Sequence, residues 1–171
     1  MYTSLFLYFL MLAIVVVSFK NRKNILKQLG YGKVELKKAI PQSIFYLGAL
    51  LIASMIVGII FSQLGYVDEL GKVPQILRGT DLTQLLIIVF IGSFVEEIFF
   101  RGYLQRKTNL LTASFIFAYF HIIYNSLPEV VGAFVLGLIL GKAYEKTDNL
   151  FVSTLAHFSY NLIVLIITLT L

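Results

Sequence analysis

Residues 82–105 read LTQLLIIVFIGSFVEEIFFRGYLQ, and this stretch decides the fold. A helix rises 1.5 Å per residue, so roughly 20 apolar residues cross a bilayer core of ~30 Å. The stretch is long enough, and it is uncharged until Glu96. Its charges, Glu96, Glu97 and Arg101, then fall inside the apolar run instead of flanking it. The whole chain agrees with this reading. Its 171 residues are 58% hydrophobic and 13% charged, with a mean hydropathy of +0.87. A soluble domain carries about a quarter charged residues, so the composition is that of a membrane protein. The net charge of +5 therefore speaks for anionic lipid headgroups and against nucleic acid. There is no cysteine, which excludes disulfides, a thiolate nucleophile and Cys-based zinc or iron–sulfur sites.

Working outward, the sequence predicts an all-α, polytopic membrane bundle of about six helices. The spans are 1–19, 39–67, 82–105, 110–124, 130–144 and 150–171, with Asn125-Ser126-Leu127-Pro128 as a turn. Residues 1–19 lack a small-residue cleavage site before Lys20 and read as a retained helix. Pro41 is expected in the first turn of the second span, where a missing N–H costs least. The fourth and fifth spans are short, which fits either tilted helices or a re-entrant hairpin packed inside protein. Gly137 and Gly141 have the small-xxx-small spacing of close helix contact. No repeat or linker divides the chain. Residues 1–81 read as two N-terminal helices joined by a basic loop, and 82–171 as a four-helix core, together one integrated domain.

Lysine and arginine collect in cytoplasmic loops. Lys20, Arg22, Lys23, Lys27, Lys33, Lys37 and Lys38, then Arg101, Arg106 and Lys107, then Lys142 and Lys146 fall on one side, against Lys72 and Arg78 on the other. The basic connections are thus expected in the cytoplasm and both termini away from it. The chain is placed in a cell membrane as a multi-pass, bacterial protein.

Ionisable groups inside a bilayer are costly and mark function. Besides the charges of 82–105, they comprise both histidines of the chain, His121 and His157, with Asn161 beside the latter. Helical rise puts Glu96 and His121 each about 13 Å inside the cytoplasmic boundary, His157 about 12 Å and Asn161 about 18 Å. One layer therefore receives polar groups from three helices, and a position so near the cytoplasmic boundary predicts substrate access from that side or laterally from that leaflet. Glu97 and Arg101 are four apart and can pair as a structural clamp, while Glu96, turned by about 100°, is free to face a cavity. His157 and Asn161 share a face, as do Phe117 and His121. A carboxylate and an imidazole in a partly dry pocket suit acid–base activation of water. An imidazole and a carboxamide suit stabilisation of an oxyanion. These parts describe amide hydrolysis by activated water, with no serine nucleophile.

Three motifs now stand together: Glu96-Glu97-Ile98-Phe99-Phe100-Arg101 fits EExxxR, Phe117 to His121 fits FxxxH, and His157 to Asn161 fits HxxxN. In this order they resemble the CPBP intramembrane proteases, the group of type II CAAX prenyl proteases and bacteriocin-processing or bacteriocin-immunity proteins. The match runs from Leu82 to the C-terminus, and the first two helices carry no motif. The resemblance implies a glutamic intramembrane endopeptidase with no obligatory metal and no cofactor. It assigns water activation to Glu96 and His121, an oxyanion hole to His157 and Asn161, and support to Glu97 and Arg101. Its partners are the lipid bilayer and a peptide precursor or membrane-protein substrate.

Other readings stand beside it. A carboxylate and two imidazoles can fill three zinc positions, although the HExxH spacing is absent. A non-catalytic immunity or regulatory scaffold would use the same polar cluster for packing. A transporter ranks lower, since no inverted repeat is visible.

Overall fold

The computed structural model describes residues 2–19, 24–32 and 34–171; the basic residues Lys20, Arg22, Lys23 and Lys33 lie outside them. The chain is an all-helical bundle. Its helices are α1 (Tyr2–Ser18), a single turn α2 (Ile25–Gln28), α3 (Leu36–Gln63) and α4 (Val67–Arg78). There follow α5 (Leu82–Gln105), α6 (Leu110–Phe120, continued by a 3-10 turn His121–Tyr124), α7 (Leu127–Thr147) and α8 (Leu150–Thr170). Among the described residues, α3, α5, α7 and α8 are long and apolar enough to cross a membrane. Large apolar side chains on α3, such as Phe45, Ile52 and Met55, lie on the surface, as expected where lipid is the solvent.

The helix starts follow local chemistry. Asp81, Asn109, Ser126 and Asn149 each precede a helix, and each side chain accepts a hydrogen bond from a first-turn backbone N–H. That satisfies donors which lipid would leave unpaired. Asn125 and Asp148 take left-handed backbone conformations, with φ of 49° and 46°, that short polar side chains tolerate. These two residues reverse the chain between α6 and α7 and between α7 and α8.

Two clusters of contacts define the ends of the bundle. At the basic end, the Tyr144 hydroxyl donates to the Leu29 carbonyl at 3.1 Å, Leu150 N–H donates to the Gly30 carbonyl at 3.1 Å, and Arg106 bonds the Gln28 carbonyl. At the opposite end, the Glu69 carboxylate accepts from Leu127 N–H at 2.7 Å, and Ser126 donates to the Glu69 carbonyl at 3.0 Å. There also Lys72 reaches the Asn125 carbonyl, and Arg78 donates to the Thr168 carbonyl at 3.0 Å. Connections thus alternate between two ends, as the charge pattern requires.

Three expectations need correction. The segment after α3 is a helix of its own, α4, whose Leu70, Val73 and Leu77 turn inward while its Asp68 is exposed; it is amphipathic and too polar for a span. The seventh helix runs from Leu127 to Thr147, longer than 130–144, because Ser126 caps it and Pro128 sits in its first turn. The turn before it touches α4, at the opposite end from α2. Pro41 lies five residues after Leu36, in the second turn of α3, since the helix begins before the apolar run does.

Without a hydrophobic drive between helices in lipid, close packing holds them. A Cβ on Gly102 would lie 3.1 Å from the Leu29 carbonyl oxygen and from the side chains of Leu29 and Leu150. One on Gly141 would lie 2.3 Å from Leu110 and 2.6 Å from Gln105. Gly102→Val should destabilise the protein by about 1–3 kcal/mol, the cost typical of overpacking. Gly48→Val, where a Cβ meets nothing within 4 Å, should be near neutral. Thermal unfolding in detergent checks the pair.

Candidate active site

Helix α5 departs from regular geometry on both sides of its two glutamates. Residues Ile88–Gly92 and Ile98–Gln105 are π-helical, and Ser93–Glu97 between them is α-helical. Such widened turns redirect side chains and concentrate at functional sites. Here they frame Ser93, Glu96 and Glu97, and the second of them carries Arg101.

Glu97 and Arg101 are fully buried, and Arg101 Nε lies 3.6 Å from Glu97 Oε2. That separation makes an ion pair without a hydrogen bond, and Arg101 Nε and Nη1 have no hydrogen-bond partner. Two other contacts hold the guanidinium: Nη2 donates to the Gly137 carbonyl at 3.4 Å, and the group stacks 4.6 Å from the Phe117 ring centroid, a cation–π geometry. The expected clamp is present, and it extends further than spacing predicted. The other oxygen of Glu97 lies 3.0 Å from His157 Nδ1. Arg101, Glu97 and His157 therefore form one buried polar chain across α5 and α8.

At its far end His157 Nε2 faces Glu96 Oε2 at 3.9 Å. Glu96 is 18% exposed where Glu97 is fully buried, so adjacent carboxylates occupy different environments, as the 100° rotation requires. The Tyr8 hydroxyl donates to Glu96 Oε1 at 3.4 Å. Asn161 Nδ2 donates to Ser93 Oγ at 3.1 Å. His121 closes the end of α6, with Nδ1 2.8 Å from the Phe117 carbonyl oxygen. The Phe117 ring contacts both His121 and His157, at centroid distances of 4.6 and 6.0 Å.

Glu96, His121, His157 and Asn161 all line one cavity of about 280 Å³. Among the described residues, no three His, Asp or Glu side chains form a group able to hold a metal ion. The cavity lies on one side of the polar layer. Along α5 it is lined from Glu96 back to Leu85, along α8 from His157 on to Leu165, and Leu70, Val73 and Leu77 of α4 also line it. Each of these directions leads away from the basic end. The cause lies in the packing below Glu97, where Phe100, Arg101, Leu150 and Leu29 are each at most 1% exposed.

Sequence reasoning missed three contributors. Tyr8 comes from a helix without a motif, and a Cβ on Gly92 would lie 2.5 Å from its hydroxyl, so the glycine is what admits it. Ser93 sits three residues before Glu96 and reads as a small packing residue. Glu129 lines the cavity and interacts electrostatically with His121. Its signal was Ser126-x-x-Glu129, a capping-box spacing, of which the half from Glu129 N–H to Ser126 Oγ is made at 3.3 Å.

The family model described as "Type II CAAX prenyl endopeptidase Rce1-like" matches residues 78–163. The chain belongs to this family of CAAX-protease-type membrane proteins. It is similar to the uncharacterized protein YpbD of Bacillus subtilis, 38% identical over 94 residues, a stretch covering 53% of this chain and 49% of that protein. It therefore spans about half the length of that relative. It is also similar to the UPF0177 protein YxdF of Lactococcus lactis, 28% identical over 156 residues, or 79% of this chain and 82% of that protein. No solved structure matches it.

The buried chain yields a stability prediction. Arg101→Met should cost about 3–5 kcal/mol, because it strands the Glu97 carboxylate in an apolar interior. Arg101→Met combined with Glu97→Gln should recover much of that loss, since no charge is then unpaired. Denaturant unfolding in micelles of the two single variants and the double variant measures the coupling.

Proposed function

We propose that this protein is an intramembrane glutamic endopeptidase that hydrolyses a peptide bond in a membrane-associated polypeptide. The observation that carries the proposal is the convergence of Glu96, His121, His157 and Asn161 on one cavity, in a chain whose family is that of CAAX-type endopeptidases.

The chemistry follows from donors and acceptors. With Nδ1 directed at the Phe117 carbonyl, a neutral His121 carries its hydrogen there and offers Nε2 as an acceptor. A water in the cavity donates one hydrogen to His121 Nε2 and the other to Glu96. Glu96 takes the latter proton as the oxygen attacks the scissile carbonyl carbon, and the carbonyl oxygen becomes an oxyanion. Donors already oriented at that point are worth more than donors that must reorganise. Asn161 has a second amide hydrogen beyond the one given to Ser93. His157 gives its Nδ1 hydrogen to Glu97, so donation from Nε2 calls for the imidazolium form, which carboxylates flank on both sides. Glu96 then returns its proton to the amide nitrogen as the C–N bond breaks, leaving a free amine and a carboxylic acid, whose remaining proton passes to His121 Nε2 to give the carboxylate.

The same geometry gives Tyr8 and Ser93 orienting roles. The Tyr8 hydroxyl fixes one oxygen of Glu96, and Ser93 fixes the carboxamide plane of Asn161.

Glu96→Gln and His121→Ala should each reduce cleavage by at least about 100-fold, the scale of a lost acid–base group. Membrane expression and thermal stability should stay close to the parent. Comparison of membrane-proteome peptides between cells with the parent protein and cells with Glu96→Gln supplies the cleavage readout. Unchanged peptides, with the cellular phenotype retained in Glu96→Gln, would replace the peptidase by a scaffold.

A further inference from the structure

We infer that the substrate reaches Glu96 from the end of the bundle that carries α4, and that this end faces outside the cell. The substrate class is thus an exported peptide or an external segment of a membrane protein. The inference rests on the peptidase reading only for the word substrate; the accessible side is a property of the fold.

The two halves of the bundle differ in packing. Between the polar layer and the basic end, the interior is filled. Glu97 and Arg101 are fully buried, Phe100 beside them is 1% exposed, and Leu150 and Leu29, packed at the neighbouring Gly102, have at most 1% exposure. Backbones approach there so closely that a single added carbon at Gly102 or Gly141 meets neighbours. An extended peptide has no path through such an interior without unfolding it. Between the polar layer and the other end lies the cavity. Its walls there include Ser54 and Gly58 of α3, Gly132 of α7 and Val164 of α8, and the apolar side of α4 covers it.

Charge gives the direction. Lys27, Lys37, Lys38, Arg106, Lys107 and Lys146 gather at the filled end, against Lys72 and Arg78 at the cavity end. The excess of lysine and arginine belongs in the cytoplasm, so the filled end is cytoplasmic and the cavity end external. Beside the apolar packing of Leu77, the cover is held at its outer end by hydrogen bonds: Leu127 N–H to Glu69, Ser126 to the Glu69 carbonyl, and Lys72 to the Asn125 carbonyl. Water at the external face can exchange for each of them, which lets a polar peptide backbone pass beneath α4.

The chain has no cysteine, so single cysteines report accessibility without background. Full-length Ser54→Cys, in the cavity wall, should react with a charged, membrane-impermeant methanethiosulfonate in intact cells. Asp68→Cys on the exposed side of α4 should do likewise. Lys27→Cys should react only in inverted vesicles. Gly132→Cys repeats the cavity test at a position where a Cβ meets only Val57, at 3.9 Å. Reaction of the cavity cysteines from the Lys27 side alone, or from neither side while Asp68→Cys reacts, overturns the inference. So does a cytoplasmic Asp68→Cys. None of these readouts needs cleavage, so failure of the peptidase reading would leave them unchanged. Where cleavage products are lost in Glu96→Gln cells, their sites should fall in external segments; sites in cytoplasmic segments would overturn the substrate class.

Discussion

The structure depends on keeping a guanidinium and a carboxylate in a membrane interior. Arg101 and Glu97 are fully buried, and lipid offers neither of them a partner. Each must therefore be answered from within the protein. The answer recruits much of the bundle: the Gly137 carbonyl from α7, the Phe117 ring from α6 and His157 from α8. One charge pair thus specifies how four helices meet. Buried pairs of this sort contribute little net stability, because desolvation offsets their attraction.

The same pair prepares the site. Because Glu97 spends one oxygen on Arg101 and the other on His157, the imidazole ring is oriented before any ligand arrives. Its second nitrogen then faces Glu96 at the cavity edge. The two neighbouring glutamates differ in environment, one buried and paired through both oxygens, the other partly exposed at the cavity edge. Tyr8 and Ser93 complete the pattern, each fixing a polar group that lines the cavity.

The apolar helices themselves, the alternation of connections between two ends and the Glu97–Arg101 pairing were legible from residue order, because apolar runs and i,i+4 spacing are local properties. So was the shared depth of Glu96, His121 and His157, which needs only helical rise. Tyr8 was illegible because its contact spans 88 residues and hinges on a glycine at 92 that lets two helices touch. Helix α4 was hidden because its amphipathic pattern is short and follows directly on an apolar span. Glu129 follows Ser126 at a capping spacing, which is local, whereas its place beside His121 at the cavity comes from the packing of α6 against α7.

Sequence alone therefore determined that this chain is a membrane bundle, that its polar residues share one layer, and that its basic connections alternate with poorer ones. Hydropathy, helical period and charge asymmetry act along the chain and need no knowledge of neighbours. Tertiary structure decided which side of that layer is hollow and which is filled. That property depends on how closely Gly102 and Gly141 let helices approach and on where α4 folds back. Neither is encoded in any local pattern, because both are settled by contacts between segments far apart in sequence.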